Sequence, residues 1–184
     1  MNRIGIDIGG TQLRVAAFDD GGRRLFKEVF SNDSACGPER NLGRLVSAIE
    51  RWGIDYEGIG IGGPGPADFS AGRFLNPPNL PAWEGFEVVR FFNEATGKPA
   101  FLNNDANVAG LAEALVGAGR GCDSVFFFTV STGLGGGYIY QGKIVGGAHS
   151  LGAEVFSMIV NDDPYARPGL NPGCVELQCS GTAL

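Results

Sequence analysis

Lysine is scarce in this chain: only Lys27, Lys98 and Lys143 occur among 184 residues, and the net charge is −6. No basic stripe forms, which argues against a nucleic-acid or acidic-membrane partner. Histidine occurs once, at His149, with no Cys or His at ligand spacing around it, so it reads as a loop residue. The four cysteines (Cys36, Cys122, Cys174, Cys179) make no CxxC pair, and no secretory leader is recognised. That combination predicts reduced thiols in a cytoplasmic protein. No apolar run is long enough to span a bilayer. Charged residues, at 18%, are somewhat few, while hydrophobic residues, at 43%, suffice for a core. What the chain has in excess is glycine, 31 residues dispersed among apolar segments, which predicts turns and loops rather than collagen or disorder.

Two glycine-rich loops stand out. Asp7-Ile8-Gly9-Gly10-Thr11 follows the apolar run Ile4–Ile6, and Ser131-Thr132-Gly133-Leu134-Gly135-Gly136-Gly137 follows Val125–Val130. Glycine lets backbone N–H groups turn toward an anion, and each threonine hydroxyl adds a donor. One such loop in each half predicts two jaws on a polyphosphate, hence nucleotide-driven phosphoryl transfer.

The pattern predicts strands at 3–8 and 12–18, a turn at Asp19-Asp20-Gly21-Gly22, and a third strand over 25–30. Leu42, Leu45, Val46 and Ile49 give one apolar face to a helix over 38–52, with Gly53 as its cap. A buried strand over 58–61 runs into Gly62-Gly63-Pro64-Gly65-Pro66, and residues 67–85 read as a long loop. A helix over 86–96, a strand over 100–102 and a helix started by Asn103 or Asn104 follow. The second half repeats the design: strand 124–130, glycine loop, strand 136–140, a turn, and residues 143–145. The methionines and phenylalanines, including Phe126–Phe128, read as core. Cys174 to Leu184 looks like the opening of a helix, and the thin coverage of the second lobe suggests part of a longer chain.

Asp7 and Asp105 are the candidate working carboxylates. Asp7 sits beside the first loop, where it could hold Mg²⁺ through water or simply bond its own turn. Asp105 lies at a strand end and in the first turn of a helix, where the helix dipole favours a carboxylate. Its charged form could accept a proton from a substrate hydroxyl; the plainer reading is a helix-start aspartate. Glu154 and Glu176 could each accept from two sugar hydroxyls, or lie on the surface.

Ile6–Thr11, Gly63–Pro66, Pro78-Asn79-Leu80, Asn104-Asp105-Ala106-Asn107, Thr132–Gly137 and Gly173-Cys174-Val175-Glu176 occur in one order. Together they resemble the ROK family of sugar kinases and repressors, within the actin-like ATPase superfamily; bacterial glucokinases and N-acetylhexosamine kinases are the nearest look-alikes. The resemblance implies an α/β, ribonuclease H-like fold with two lobes, a mixed sheet flanked by helices, and an incomplete second lobe. The expected lobes are 1–118 and 119–184. It implies ATP and Mg²⁺ as cofactors and a hexose phosphorylated at its 6-hydroxyl, with Asp105 as general base. Asp7 would assist Mg²⁺. Gly9, Gly10, Thr11, Thr132 and Gly133 would meet ATP phosphates. Gly65, Asn79, Asn104, Glu154 and Glu176 would form the sugar site. Family kinases are often dimers, so a homodimer is expected by analogy.

The chain also departs from the family. Where family kinases carry a histidine serving sugar and a structural zinc, it has Ser157; where two zinc cysteines are expected it has Arg167 and Gly169. Cys174 is left alone, and one thiol cannot close a zinc site, so no structural zinc is expected. The loop 158–173 must then be held some other way. Family repressors place a DNA-binding domain ahead of the kinase-like part; this chain begins at the first strand, which disfavours DNA binding. Three other readings stay open: a non-catalytic sugar-binding or regulatory paralogue, an N-acetylmannosamine or N-acetylglucosamine kinase, and an actin-like assembly scaffold.

Overall fold

The computed structural model describes residues 1–183. They form two compact units, Met1–Asp105 and a second that starts at Ala106. The division falls at the start of the helix over Asp105–Val116, which groups with the second sheet.

In the first unit, β1 (Asn2–Ile8), β2 (Gln12–Phe18) and β3 (Arg24–Ser31) form an antiparallel meander. β4 (Tyr56–Gly63) and β7 (Ala100–Asn104) extend the sheet in parallel with β1, giving the order β3-β2-β1-β4-β7. Strand alternation fixes one buried face. Ile4, Ile6 and Ile8 on β1, Leu13, Val15 and Ala17 on β2, Ile59 and Ile61 on β4, and Ala100 and Leu102 on β7 are all buried.

Two crossover helices belong to the same core. α1 (Gly37–Trp52) buries Leu42, Leu45, Val46 and Ile49, the face its spacing predicted. Gly53 ends it in the left-handed conformation, φ 62°. α2 (Val88–Thr96) buries Val88 and Phe92 and closes at Gly97 in the same way. Each fully buried aliphatic side chain contributes about 1.5–3 kcal/mol, so this face, not helix propensity, holds the helices.

The segment read as a long loop has structure of its own. β5 (Ala67–Asp68) pairs with β6 (Arg73–Phe74), and a 3₁₀ turn spans Pro81–Trp83. Phe74 and Trp83 are fully buried and meet edge to face at 5.8 Å between centroids. Their aperiodic spacing hid this anchor, because two-residue strands carry no pattern.

In the second unit, α3 (Asp105–Val116) leads to an antiparallel sheet of β8 (Ser124–Val130), β9 (Leu134–Tyr140) and β10 (Lys143–Ile144), in the order β10-β9-β8. Gly110 and Gly137 let α3 lie close on this sheet. A Cβ at Gly137 would stand 2.7 Å from the Ala106 carbonyl oxygen, and one at Gly110 3.0 Å from Phe127 Cβ. A short helix α4 (Val175–Cys179) closes the unit.

Three expectations fail here. Phe126 and Phe128 are not core: they are 41% and 58% exposed and lie tilted against each other at 4.6 Å, on the face of β8 opposite the half-buried Phe127. Met1 and Met158 are exposed as well. The second glycine loop is shorter than its sequence suggested, because Leu134–Gly137 already pairs with Phe127–Val130 inside β9.

Among the described residues, no helix is long and apolar enough to cross a membrane.

Candidate active site

The carboxyl ends of the parallel strands bring the first set of predicted residues together. Asp7 on β1 is in register with Gly62 on β4, and Gly62 with Asn103 on β7; one step on, Gly63 matches Asn104. Asp105 follows immediately, exposed, as the first residue of α3. Ligands of open α/β sheets bind at such strand ends, where side chains leave the sheet into a crevice. The Asn103 side-chain oxygen accepts from the Asn104 N–H at 2.8 Å and braces the turn from strand to helix.

The first glycine loop is a tight β1–β2 connection. Gly9 N–H donates to the Gln12 carbonyl at 2.9 Å, so this amide is spent on the turn itself. Asn32, at the end of β3, clamps the loop from outside: its side-chain amide donates to Gly9 O at 2.8 Å and its backbone N–H to Thr11 O at 2.8 Å. Thr11 is exposed at the tip. Gly10 faces Asn79, whose carbonyl oxygen would lie 3.1 Å from a Cβ at position 10. The expected phosphate loop and the expected sugar loop are therefore neighbours. Gly65, after β4, is half-buried and joined to Pro66 by a cis peptide bond.

Two contributors escaped sequence reading. Asn32 carries no motif. Arg14 lies directly across from Asp7 in the β1–β2 register and donates Nη1 to Asp7 Oδ2 at 2.5 Å, with Nη2 on Gln12 Oε1 at 2.9 Å. An arginine between apolar Leu13 and Val15 was the available signal; its partner depended on register.

Can Asp7 hold Mg²⁺? A carboxylate offers about four acceptor positions, and one goes to Arg14. The remaining capacity fits a water-mediated contact, with the guanidinium as a competing cation.

In the second unit the glycine loop is held from one side by the segment around α4. Ser131 N–H donates to Gly133 O at 2.9 Å within the loop, and Gly181 N–H donates to Ser131 O at 2.7 Å. The Thr182 hydroxyl donates to Thr132 O at 2.9 Å. Leu134 N–H donates to Glu176 Oε2 at 2.7 Å, so Glu176, expected on a sugar, here sits on the loop. A Cβ at Gly133 would collide with that oxygen at 2.7 Å. Glu154 is half-buried and lies near Glu176 along the chain path, since Glu176 N–H donates to Phe156 O at 3.1 Å. The glycines inside β9 serve packing instead: a Cβ at Gly136 would stand 2.6 Å from the Ala153 carbonyl.

The residues at the expected zinc positions do not fit a zinc ion. Cys174 is buried and bridges to Ile159, Ser157 is exposed, Gly169 offers no side chain, and Arg167 brings a permanent positive charge. Among the described residues, no group of three or more His, Cys, Asp or Glu side chains is placed to hold a metal.

The chain is similar to known proteins in sequence and in fold. The sequence pattern of the ROK family matches residues 3–184. A glucokinase of Thermotoga maritima is 34% identical over 98% of the chain, which spans 58% of that relative. The crystal structure of a ROK hexokinase from Thermus thermophilus superposes with a TM-score of 0.87 at 40% identity, covering 100% of this chain and 61% of that one. A ROK family glucokinase from Streptomyces griseus, solved with glucose and AMPPNP, gives 0.83 at 32% identity, covering 100% and 58%. The chain thus spans about three fifths of the length of the relatives it matches.

Proposed function

Because this chain belongs to the ROK family, with the α/β fold of its sugar kinases, we propose that it carries the substrate and catalytic part of an ATP-dependent hexose kinase acting on the 6-hydroxyl, as in glucokinases. One observation carries the reading: Asp7, Asn104 and Asp105 gather at the ends of adjacent parallel strands, in the unit where Asn79 lies against the first glycine loop. The similarity to glucokinases, one of them solved with glucose and an ATP analogue, supports the same class of substrates.

In this mechanism Asp105 is the general base. Its carboxylate accepts the 6-hydroxyl proton as the oxygen attacks the γ-phosphorus. The bond from the γ-phosphorus to the bridging oxygen breaks, ADP leaves, and the sugar phosphate forms. The loose transition state of phosphoryl transfer asks little of the base, so positioning dominates. Asn79, Asn104 and backbone near Gly65 would orient the sugar, with Glu154 and Glu176 as further acceptors for its hydroxyls. Thr11 and Gly10 would donate to phosphate oxygens, with Gly9 shaping the turn; Thr132 and Gly133 would serve from the second glycine loop. Mg²⁺, when bound, supplies charge neutralisation, and Asp7 would hold it through water.

The test is ADP release, coupled to a dehydrogenase, against glucose, mannose, N-acetylglucosamine and N-acetylmannosamine, in the longest form of the protein obtainable. Turnover with one of them is expected. Asp105→Asn should lower kcat by about 10²–10⁴-fold while leaving calorimetric sugar binding in place. Sugar binding with no turnover in the parent protein would instead support a non-catalytic sugar sensor.

A further inference from the structure

In the loop at the expected metal positions, 158–173, two side-chain ties reach the segment around α4: Gln178 Nε2 donates to Asp163 Oδ2 at 3.4 Å, and Arg167 makes the shorter and more extensive contact. Arg167 Nη1 donates to the Thr182 hydroxyl at 2.8 Å, Nη2 donates to the Thr182 carbonyl at 2.6 Å, and Nε donates to the Tyr165 hydroxyl at 3.2 Å. Its backbone carbonyl accepts from Leu170 N–H at 3.0 Å, which shapes the turn that presents the guanidinium. The two contacts to Thr182 form a planar fork on one residue, the geometry that a guanidinium supplies and an ammonium does not.

Thr182 passes the restraint on. A threonine hydroxyl has one proton and two acceptor lone pairs. Its proton goes to Thr132 O at 2.9 Å. It therefore accepts twice, from Arg167 at 2.8 Å and from the Ser180 hydroxyl at 3.1 Å, and its capacity is full. A charged donor on the hydroxyl polarises it and strengthens its own donation. Gly181, next in the chain, holds Ser131 O.

We propose that Arg167 is a positioning residue for the second glycine loop: through Thr182 it fixes the Thr132 backbone, and so presets the loop for phosphate without a metal. Arg167 touches neither nucleotide nor sugar in this scheme. The part of the proposal that concerns phosphate rests on the kinase reading; the part that concerns loop order does not.

The experiment is amide hydrogen exchange on the free protein, followed by nucleotide kinetics. Arg167→Ala is expected to speed exchange at Thr132–Leu134 about tenfold or more, with the five-stranded sheet unchanged. Thr182→Val, which keeps shape and removes the hydroxyl, should do the same, Thr182→Ser should restore slow exchange, and the double variant Arg167→Ala/Thr182→Val should add little beyond either single one. Arg167→Lys should fall between parent and alanine. In the kinase assay, KM for ATP should rise about tenfold in Arg167→Ala with KM for the sugar unchanged. EDTA should leave exchange at Thr132–Leu134 as it is. Faster exchange confined to 158–173, with Thr132–Leu134 as slow as in the parent, would overturn the proposal, as would Thr182→Val behaving like the parent. A parent protein without kinase activity would remove the functional reading and leave the exchange result to stand or fall alone.

Discussion

Gly10 and Asn79 touch across the mouth of the first unit, so closely that a Cβ at position 10 would sit 3.1 Å from the Asn79 carbonyl oxygen and 3.3 Å from its Cβ. The obstacle is backbone, which yields less readily than a side-chain tip. Gly10→Ala should push the 78–80 segment outward by a few tenths of an ångström. Because Asn79 belongs to the proposed sugar site, KM for the sugar should rise along with KM for ATP. Steady-state kinetics with both substrates varied checks this; a change in ATP alone would contradict the coupling.

Gly133 meets a different neighbour. A Cβ there would stand 2.7 Å from Glu176 Oε2, the end of a flexible side chain. Gly133→Ala should therefore fold, displace the Glu176 carboxylate and cost the bond to Leu134 N–H, a charge-assisted hydrogen bond of about 1.5–3 kcal/mol. The expected readouts are weaker ATP binding by calorimetry and a faster-exchanging Leu134 amide.

The Arg14–Asp7 pair has side chains 47% and 43% exposed, so it adds at most about 1 kcal/mol to stability. Arg14→Gln should leave the denaturant midpoint nearly unchanged. It removes the cation that competes at Asp7, so the Mg²⁺ concentration giving half-maximal activity should fall. A Mg²⁺ titration of parent and variant compares them directly.

Trp83 is the largest fully buried side chain in the first unit and anchors the 75–86 segment that carries Asn79. Trp83→Ala should destabilise by about 3–5 kcal/mol. Urea denaturation measures this, and a loss of sugar binding before global unfolding should accompany it.

Beside the first loop, the Cys36 thiol donates to Asp33 Oδ2 at 3.1 Å. This bond, ahead of that from Ala35 N–H, holds the Asp33 carboxyl below its ordinary value of 3.8, and the same bond pushes the Cys36 thiol up. A depressed carboxyl contributes stability that is present above pH 3.8 and lost as pH falls through its lower folded value. The acid limb of a Tm-versus-pH curve should flatten in Asp33→Asn. Alkylation of Cys36 by iodoacetamide near pH 8 should quicken in the same variant, because the thiol loses the anion that opposes its ionisation.

Much of the first unit was legible in the sequence because its elements are periodic. Ile4, Ile6 and Ile8 alternate, Leu42 to Ile49 repeat at helical spacing, and Gly53 and Gly97 mark helix ends. The hairpin and 3₁₀ turn between residues 67 and 83 were not legible, since Phe74 and Trp83 are anchors without a period. Phe126 and Phe128 misled in the opposite direction: an apolar run looks the same whether a strand is covered on both faces or on one.

The order of the chain alone determined that glycine-rich stretches follow β1 and β8 and that Asp7 and Asp105 stand at strand ends, because these are local matters of residue type and spacing. Tertiary structure decided what those residues meet. That Asp7 faces Arg14, that Glu176 rests on Leu134, and that Arg167 reaches Thr132 through Thr182 all depend on strand register and on loops closing over dozens of residues. A hydrogen bond between distant positions leaves no trace in composition or period; it exists only after the backbone has set both partners within 3 Å of each other.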